Sequence, residues 1–196
     1  MLEGTATDFD QRLGMRLHAL RTERGLSLEA LAENSGVSRA MISRIERGES
    51  SPTAVVLNKL SIGLGMLLPA LFDQNSYRQK SARHPVAART DQMEWRDPAT
   101  GYTRRTLTPS GAAQPFQLSE IRFPAGARVT FENAFGPKKV YQQIWMLEGG
   151  LRLRLGSTDV RLQAGDCMAM TLDAPISFHN PGRRAARYLV AISDRP

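Results

Sequence analysis

The sequence predicts two domains of different class: an N-terminal all-α domain of five helices and a C-terminal all-β domain built as an antiparallel sandwich or small barrel. Apolar residues recur at helical spacing from Phe9 to Leu71, and from Met93 onward the period falls to two. Between them, residues 73–90 are polar and basic without a clear period, which reads as a linker and leaves 1–72 and 91–196 as the domains. A chain of 196 residues fits two small domains, and its 41% hydrophobic content excludes wholesale disorder.

The helices follow in order. Phe9, Leu13, Leu17 and Leu20 share one face of a first helix, which Gly25 ends. Ser27 is a good N-cap for a second helix carrying Leu28, Leu31 and Ala32. Gly36 marks a tight turn, Ser38 caps a third helix running to about Arg47, and Gly48 stops it. Ser51-Pro52-Thr53 opens a fourth helix with Val56, Leu57, Leu60 and Leu64 inward, and Leu67–Phe72 makes a short fifth.

In the second half, turn signals arrive often: Asp97-Pro98-Ala99-Thr100-Gly101, Pro124-Ala125-Gly126, Glu148-Gly149-Gly150, Gly156-Ser157-Thr158, Ala164-Gly165-Asp166 and Asn180-Pro181-Gly182. Alternating runs such as Leu151–Leu155 and Ala186–Ala191 lie between them, and eight or nine strands are expected.

Several function classes fall away at this level. A single cysteine, Cys167, cannot form an intrachain disulfide, and its place in a strand suggests a small buried thiol. The first eight residues are acidic and polar, unlike a signal peptide, and the longest apolar stretch is ten residues interrupted by Pro69. A membrane span needs about 20. A cytoplasmic protein with no membrane partner is expected. The net charge of +7 is unevenly spread: residues 1–72 are neutral, 73–90 carry +3 and 91–196 carry +4. Bulk charge therefore does not make the helical half a DNA binder, and individual arginines must decide.

Residues 28–47 (LEALAENSGVSRAMISRIER) have the pattern of a helix-turn-helix. Ala32 is small where the two helices cross, Gly36 frees the turn, and Leu31, Val37, Ile42 and Ile45 fill a shared core. With its flanks, residues 13–72 resemble the lambda-repressor-like (XRE-type) DNA-binding domain. That resemblance implies double-stranded DNA as partner, with the N-terminal end of the third helix on base edges in the major groove. Projection of that helix puts Ala40, Ser43, Arg44 and Arg47 opposite Ile42 and Ile45, with Arg39 at the exposed end. Arg39 and Arg44 are the candidates for guanine O6 and N7, which a guanidinium fork fits. Ala40 suits a thymine methyl and Ser43 a base or a phosphate. Arg47 suits backbone phosphate, as do the helix starts at Ser27 and Thr53 through their amides, and Ser38 at the start of the third helix is a further DNA-binding candidate. The same resemblance implies an Arg21–Glu46 ion pair linking the first and third helices.

Residues 120–192 resemble a cupin (jelly-roll) barrel, through Phe123–Gly126, Gln142–Gly149, Ala164–Asp166 and Phe178–Gly182. Metal-binding cupins carry G-x5-H-x-H-x3-4-E-x6-G and a second motif ending H-x3-N. Here Glu132, Ala134, Gln142 and Ile176 stand at the ligand positions, so neither a metal nor another cofactor is expected. His179 falls on the strand face opposite Ile176, Phe178 and Asn180. The resemblance instead implies an interior pocket lined by Gln142, Ile144, Met146 and Phe178, with Glu132 near its mouth, suited to a small organic effector.

The combined expectation is a non-enzymatic, homodimeric, sequence-specific transcription regulator that reads a palindromic operator. The rivals are a cupin enzyme tethered to DNA and an antitoxin-like protein-interaction module.

Overall fold

The computed structural model describes residues 4–72, 85–109, 115–133, 135 and 138–194, with side chains from residue 8. The chain divides into two compact units, Met1–Phe72 and Asp73–Pro196. Most of the expected linker, residues 73–84, lies outside the described residues, and a 3-10 turn at Arg89–Asp91 follows it.

Among the described residues the first unit has four α-helices: α1 (Gly4–Glu23), α2 (Leu28–Ser35), α3 (Arg39–Glu46) and α4 (Ala54–Gly63). Hydroxyl residues open the last three. Ser27 Oγ accepts from the Ala30 amide at 3.0 Å, Ser38 Oγ from Met41 at 3.3 Å, and Thr53 Oγ1 from Val56 at 3.4 Å. Gly36, at φ 64°, closes α2 by donating its amide to the Ala32 carbonyl at 2.9 Å. Leu13, Leu17, Leu31, Val37, Ile42, Ile45, Leu57 and Leu60 are buried together. The expected fifth α-helix is a 3-10 turn, Leu68–Phe72. Pro69 has no amide to donate, and five residues are too few to nucleate an i→i−4 ladder.

Among the described residues the second unit has ten strands, where eight or nine were expected. They are β1 (Glu94–Arg96), β2 (Thr103–Thr106), β3 (Gln117–Phe123), β4 (Arg128–Phe131), β5 (Tyr141–Glu148), β6 (Gly150–Leu155), β7 (Thr158–Gln163), β8 (Cys167–Thr171), β9 (Ile176–His179) and β10 (Ala186–Ser193). They form one sheet in the order β1-β2-β3-β10-β5-β8 and a second in the order β4-β9-β6-β7. From β3 onward the chain alternates between the sheets, staying in one only for the β6–β7 hairpin, which is a jelly-roll path. The barrel expected from sequence is not closed. The β1–β2 hairpin lengthens one sheet to six strands against four, and among the described residues no ladder joins the two sheets.

Register aligns side chains into rows. On the inner face of the six-stranded sheet, Trp95, Arg104, Ile121, Tyr188 and Met146 stand side by side across β1, β2, β3, β10 and β5, all buried. On its outer face, Glu120, Leu189, Trp145 and Cys167 form another row. Cys167 is therefore exposed rather than buried, because β8 turns Met170 inward and Cys167 and Ala169 outward. The outer face of the four-stranded sheet carries Arg128, His179, Arg152 and Arg161 in one row. Partial burial and then the charges of Arg128 and Arg152 hold the His179 imidazole below its ordinary pKa.

Candidate nucleic-acid interface

The exposed face of α3 follows from the two residues it buries. Ile42 and Ile45 are at most 1% exposed, so Arg39, Ala40 and Arg44 are left facing water and Ser43 half-exposed. The capping at Ser38 fixes where the helix begins, and therefore which residues occupy its first turn.

Each polar group there has a defined setting. Arg39 Nε lies 2.7 Å from Glu29 Oε1 of α2, both side chains well exposed. Arg47 caps the C-terminal end of α3, binds both oxygens of Glu49 at 2.7 Å and donates to Ser43 Oγ. The Glu49 hydrogen bond holds the Arg47 guanidinium above, and the Glu49 carboxyl below, its ordinary value. Arg44 is exposed and in no ion pair among the described residues. Ser27, Ser38 and Thr53 each accept one capping amide through the hydroxyl oxygen, which leaves each hydroxyl proton available to an outside acceptor.

Two features hold α3 against α1. Glu46 accepts from Arg21 Nε at 2.6 Å and Arg21 Nη2 at 2.8 Å, and its Oε2 lies 2.9 Å from His18 Nδ1. Arg21 also donates to the Leu26 carbonyl at 2.8 Å, tying in the α1–α2 turn. Gly14 supplies the second: a Cβ there would sit 2.4 Å from the Ile45 carbonyl oxygen and 2.7 Å from that of Glu46. The helices approach so closely only because α1 has no side chain at that point. Sequence reasoning missed Glu29 and Gly14, although a glycine amid a strong helical period is itself a packing signal.

Residues 17–69 match the helix-turn-helix family HTH_3. A 36% identical stretch of 59 residues covers 77% of the uncharacterized HTH-type transcriptional regulator y4dJ of Sinorhizobium fredii. The chain belongs to the HTH-type transcriptional regulators. The likeness reaches beyond the helical unit: it is 28% identical to the HTH-type transcriptional regulator SutR of Escherichia coli, over 90% of this chain and 91% of that one. The crystal structure of an HTH_3 family transcriptional regulator from Vibrio cholerae matches with a TM-score of 0.76 at 27% identity, over 97% of this chain and 99% of that one. This regulator is thus a DNA-binding protein of XRE type with a double-sheet second unit.

Within that unit of the regulator, Gln142, Ile144 and Met146 point inward from β5 and Phe178 inward from β9, all buried, whereas Glu132 is exposed just past β4. Phe178 packs edge-on to Phe131 at 6.0 Å. Among the described residues no three His, Cys, Asp or Glu side chains are grouped as a metal shell would require. Among the described residues no helix is long and apolar enough to cross a membrane.

Proposed function

We propose that the regulator works as a cytoplasmic homodimer on a palindromic operator, without catalysing a reaction, and that its double-sheet unit joins the two copies and holds a small-molecule effector. The observation that carries the DNA-reading assignment is the face of α3 opposite Ile42 and Ile45, where Arg39, Ala40, Ser43 and Arg44 are grouped. In this reading Arg39 and Arg44 take guanine edges and Ala40 a thymine methyl. Ser43, Arg47 and the helix starts at Ser27, Ser38 and Thr53 hold phosphates and so set the register. Half-sites lie about one helical turn apart, as paired recognition helices demand. Trp145, half exposed on the outer sheet face beside Leu189, supports that face as the contact between copies. The effector acts by linkage, favouring one setting of the paired DNA-binding units and so changing operator affinity.

The test is selection of bound fragments from sheared genomic DNA, run beside an Arg39→Ala/Arg44→Ala double variant. A palindromic motif recovered by the native chain alone is the expected result. Recovery of the same fragments by both proteins would sink the base-reading assignment.

A further inference from the structure

Arg104 is an arginine in the wrong place for a protein that binds nothing there. It stands on β2 facing inward and is 7% exposed, and its Nε has no hydrogen-bond partner. None of the ion pairs among the described residues includes it, although its neighbour Arg105, facing outward, pairs with Glu120 at 2.5 Å. Asp97, the buried acid of the β1–β2 turn, is engaged by the Thr100 amide at 3.0 Å and hydroxyl at 2.5 Å. Burial lowers the Arg104 pKa from its ordinary value, yet a guanidinium keeps its charge in proteins. A buried charge without a counter-charge is a standing cost that folding alone does not require.

The surroundings are suited to what is missing. In the same inward row Trp95 and Ile121 flank Arg104, with Tyr188 and Met146 beyond. Tyr102 lies two residues before it, ring to ring with Trp95 and with Phe123 at 5.6 Å in both cases. The diagonal neighbour on β3 is Ser119, fully buried, its Oγ also without a partner. Burial pushes the phenols of Tyr102 and Tyr188 far above their ordinary value, so both stay neutral hydroxyls and neither neutralises the cation. The region thus offers one fixed positive charge, neutral hydroxyls able to donate, and apolar walls.

We infer that Arg104 is the charge-recognition residue of a binding site for a small organic monocarboxylate with an apolar body, inside the double-sheet unit. A guanidinium fork meets a carboxylate bidentately, and a single cation balances a monoanion where a phosphate dianion would leave charge buried. The inference rests on the effector reading above and gives that effector a chemical class.

The experiment uses the full-length protein and thermal unfolding with a probe series: acetate, butyrate, hexanoate, octanoate, benzoate and phenylacetate, each beside its primary amide. The native chain should gain several degrees with one or more acids and not with the matching amides. Arg104→Met should unfold at a higher temperature than the native apo protein, because it removes an unpaired buried charge, and should show no acid-dependent gain. Arg104→Lys keeps the charge but loses the fork, so it should bind at least tenfold more weakly, and it serves if the Met variant does not fold. No gain with any acid, or Arg104→Met unfolding at a lower temperature with the acid response intact, overturns the site. Amides that stabilise native and Arg104→Met protein equally overturn it too, while leaving the effector reading in place. Acids that bind through Arg104 but leave DNA affinity unchanged uphold the site and remove the effector reading.

Discussion

Glu46 accepts from Arg21 and lies against His18 with its side chain 8% exposed, so its charge is held by neighbours rather than by water. Burial alone would raise its carboxyl pKa, and the hydrogen bonds from Arg21 and His18 outweigh burial, leaving it below the ordinary value. A depressed carboxyl makes the unfolded chain the first to take up a proton on acidification. The contribution is therefore complete above an unfolded-state pKa of about 4.3 and is lost as pH falls through the lower folded value. Glu46→Gln should destabilise the helical unit by about 1.5–3 kcal/mol at pH 7. In urea titrations the gap from the native chain should stay constant down to about pH 5 and close below about pH 4. Glu29 offers the opposite outcome. Its pairing with Arg39 at 2.7 Å must break before Arg39 can reach a base, and exposed pairs of this kind are worth about 0–1 kcal/mol. Glu29→Gln should accordingly raise operator affinity about two- to fivefold, measured by fluorescence anisotropy at fixed salt. No change, or weaker binding, would place Arg39 outside the interface.

At the scale of elements, α1 and α3 meet at Gly14. Alanine at an ordinary helix interior position gains about 0.5–1 kcal/mol over glycine. Gly14→Ala should instead lose about 1–3 kcal/mol, since its Cβ would meet backbone oxygens that cannot rotate aside. Denaturant unfolding gives the sign directly. The helical elements were legible because each is written in short-range chemistry: Ser27, Ser38 and Thr53 in capping positions, Gly36 at a left-handed turn, and Ile42 and Ile45 on one helical face. Leu67–Phe72 reads as a helix from its apolar content, whereas Pro69 decides how so short a segment can bond, and Leu68–Phe72 is a 3-10 turn. Strand pattern was harder to read. In Thr103-Arg104-Arg105-Thr106 the alternation forces one arginine inward, but nothing local says which, and that depends on β3 pairing Arg104 with Ile121. Cys167 is exposed where the sequence suggests a buried thiol for a related reason: the burial phase of β8 is set across the sheet by β5, where Trp145 opposite it points outward.

For the molecule as a whole, net charge and DNA affinity are separable. The helical unit is neutral in sum, so under the proposed reading its hold on DNA would come from a few placed cations and helix starts rather than from bulk charge. The logarithm of affinity should fall with the logarithm of salt by about 0.9 per phosphate contact, and Arg47→Ala should lessen that slope by about 1 without relaxing sequence preference. Assembly is tested at the outer sheet face. Trp145→Glu should convert a dimer to a monomer in sedimentation and weaken operator binding, while a Trp145→Glu protein that remains dimeric would move the contact elsewhere. The same six-stranded sheet also gives the chain a two-channel optical reporter. It has only two tryptophans: Trp95 is 3% exposed beside Arg104, and Trp145 is 50% exposed on the opposite side. An indole in an apolar interior emits to the blue of one in water, so occupancy at Arg104 and pairing of two copies would alter different parts of a single emission spectrum.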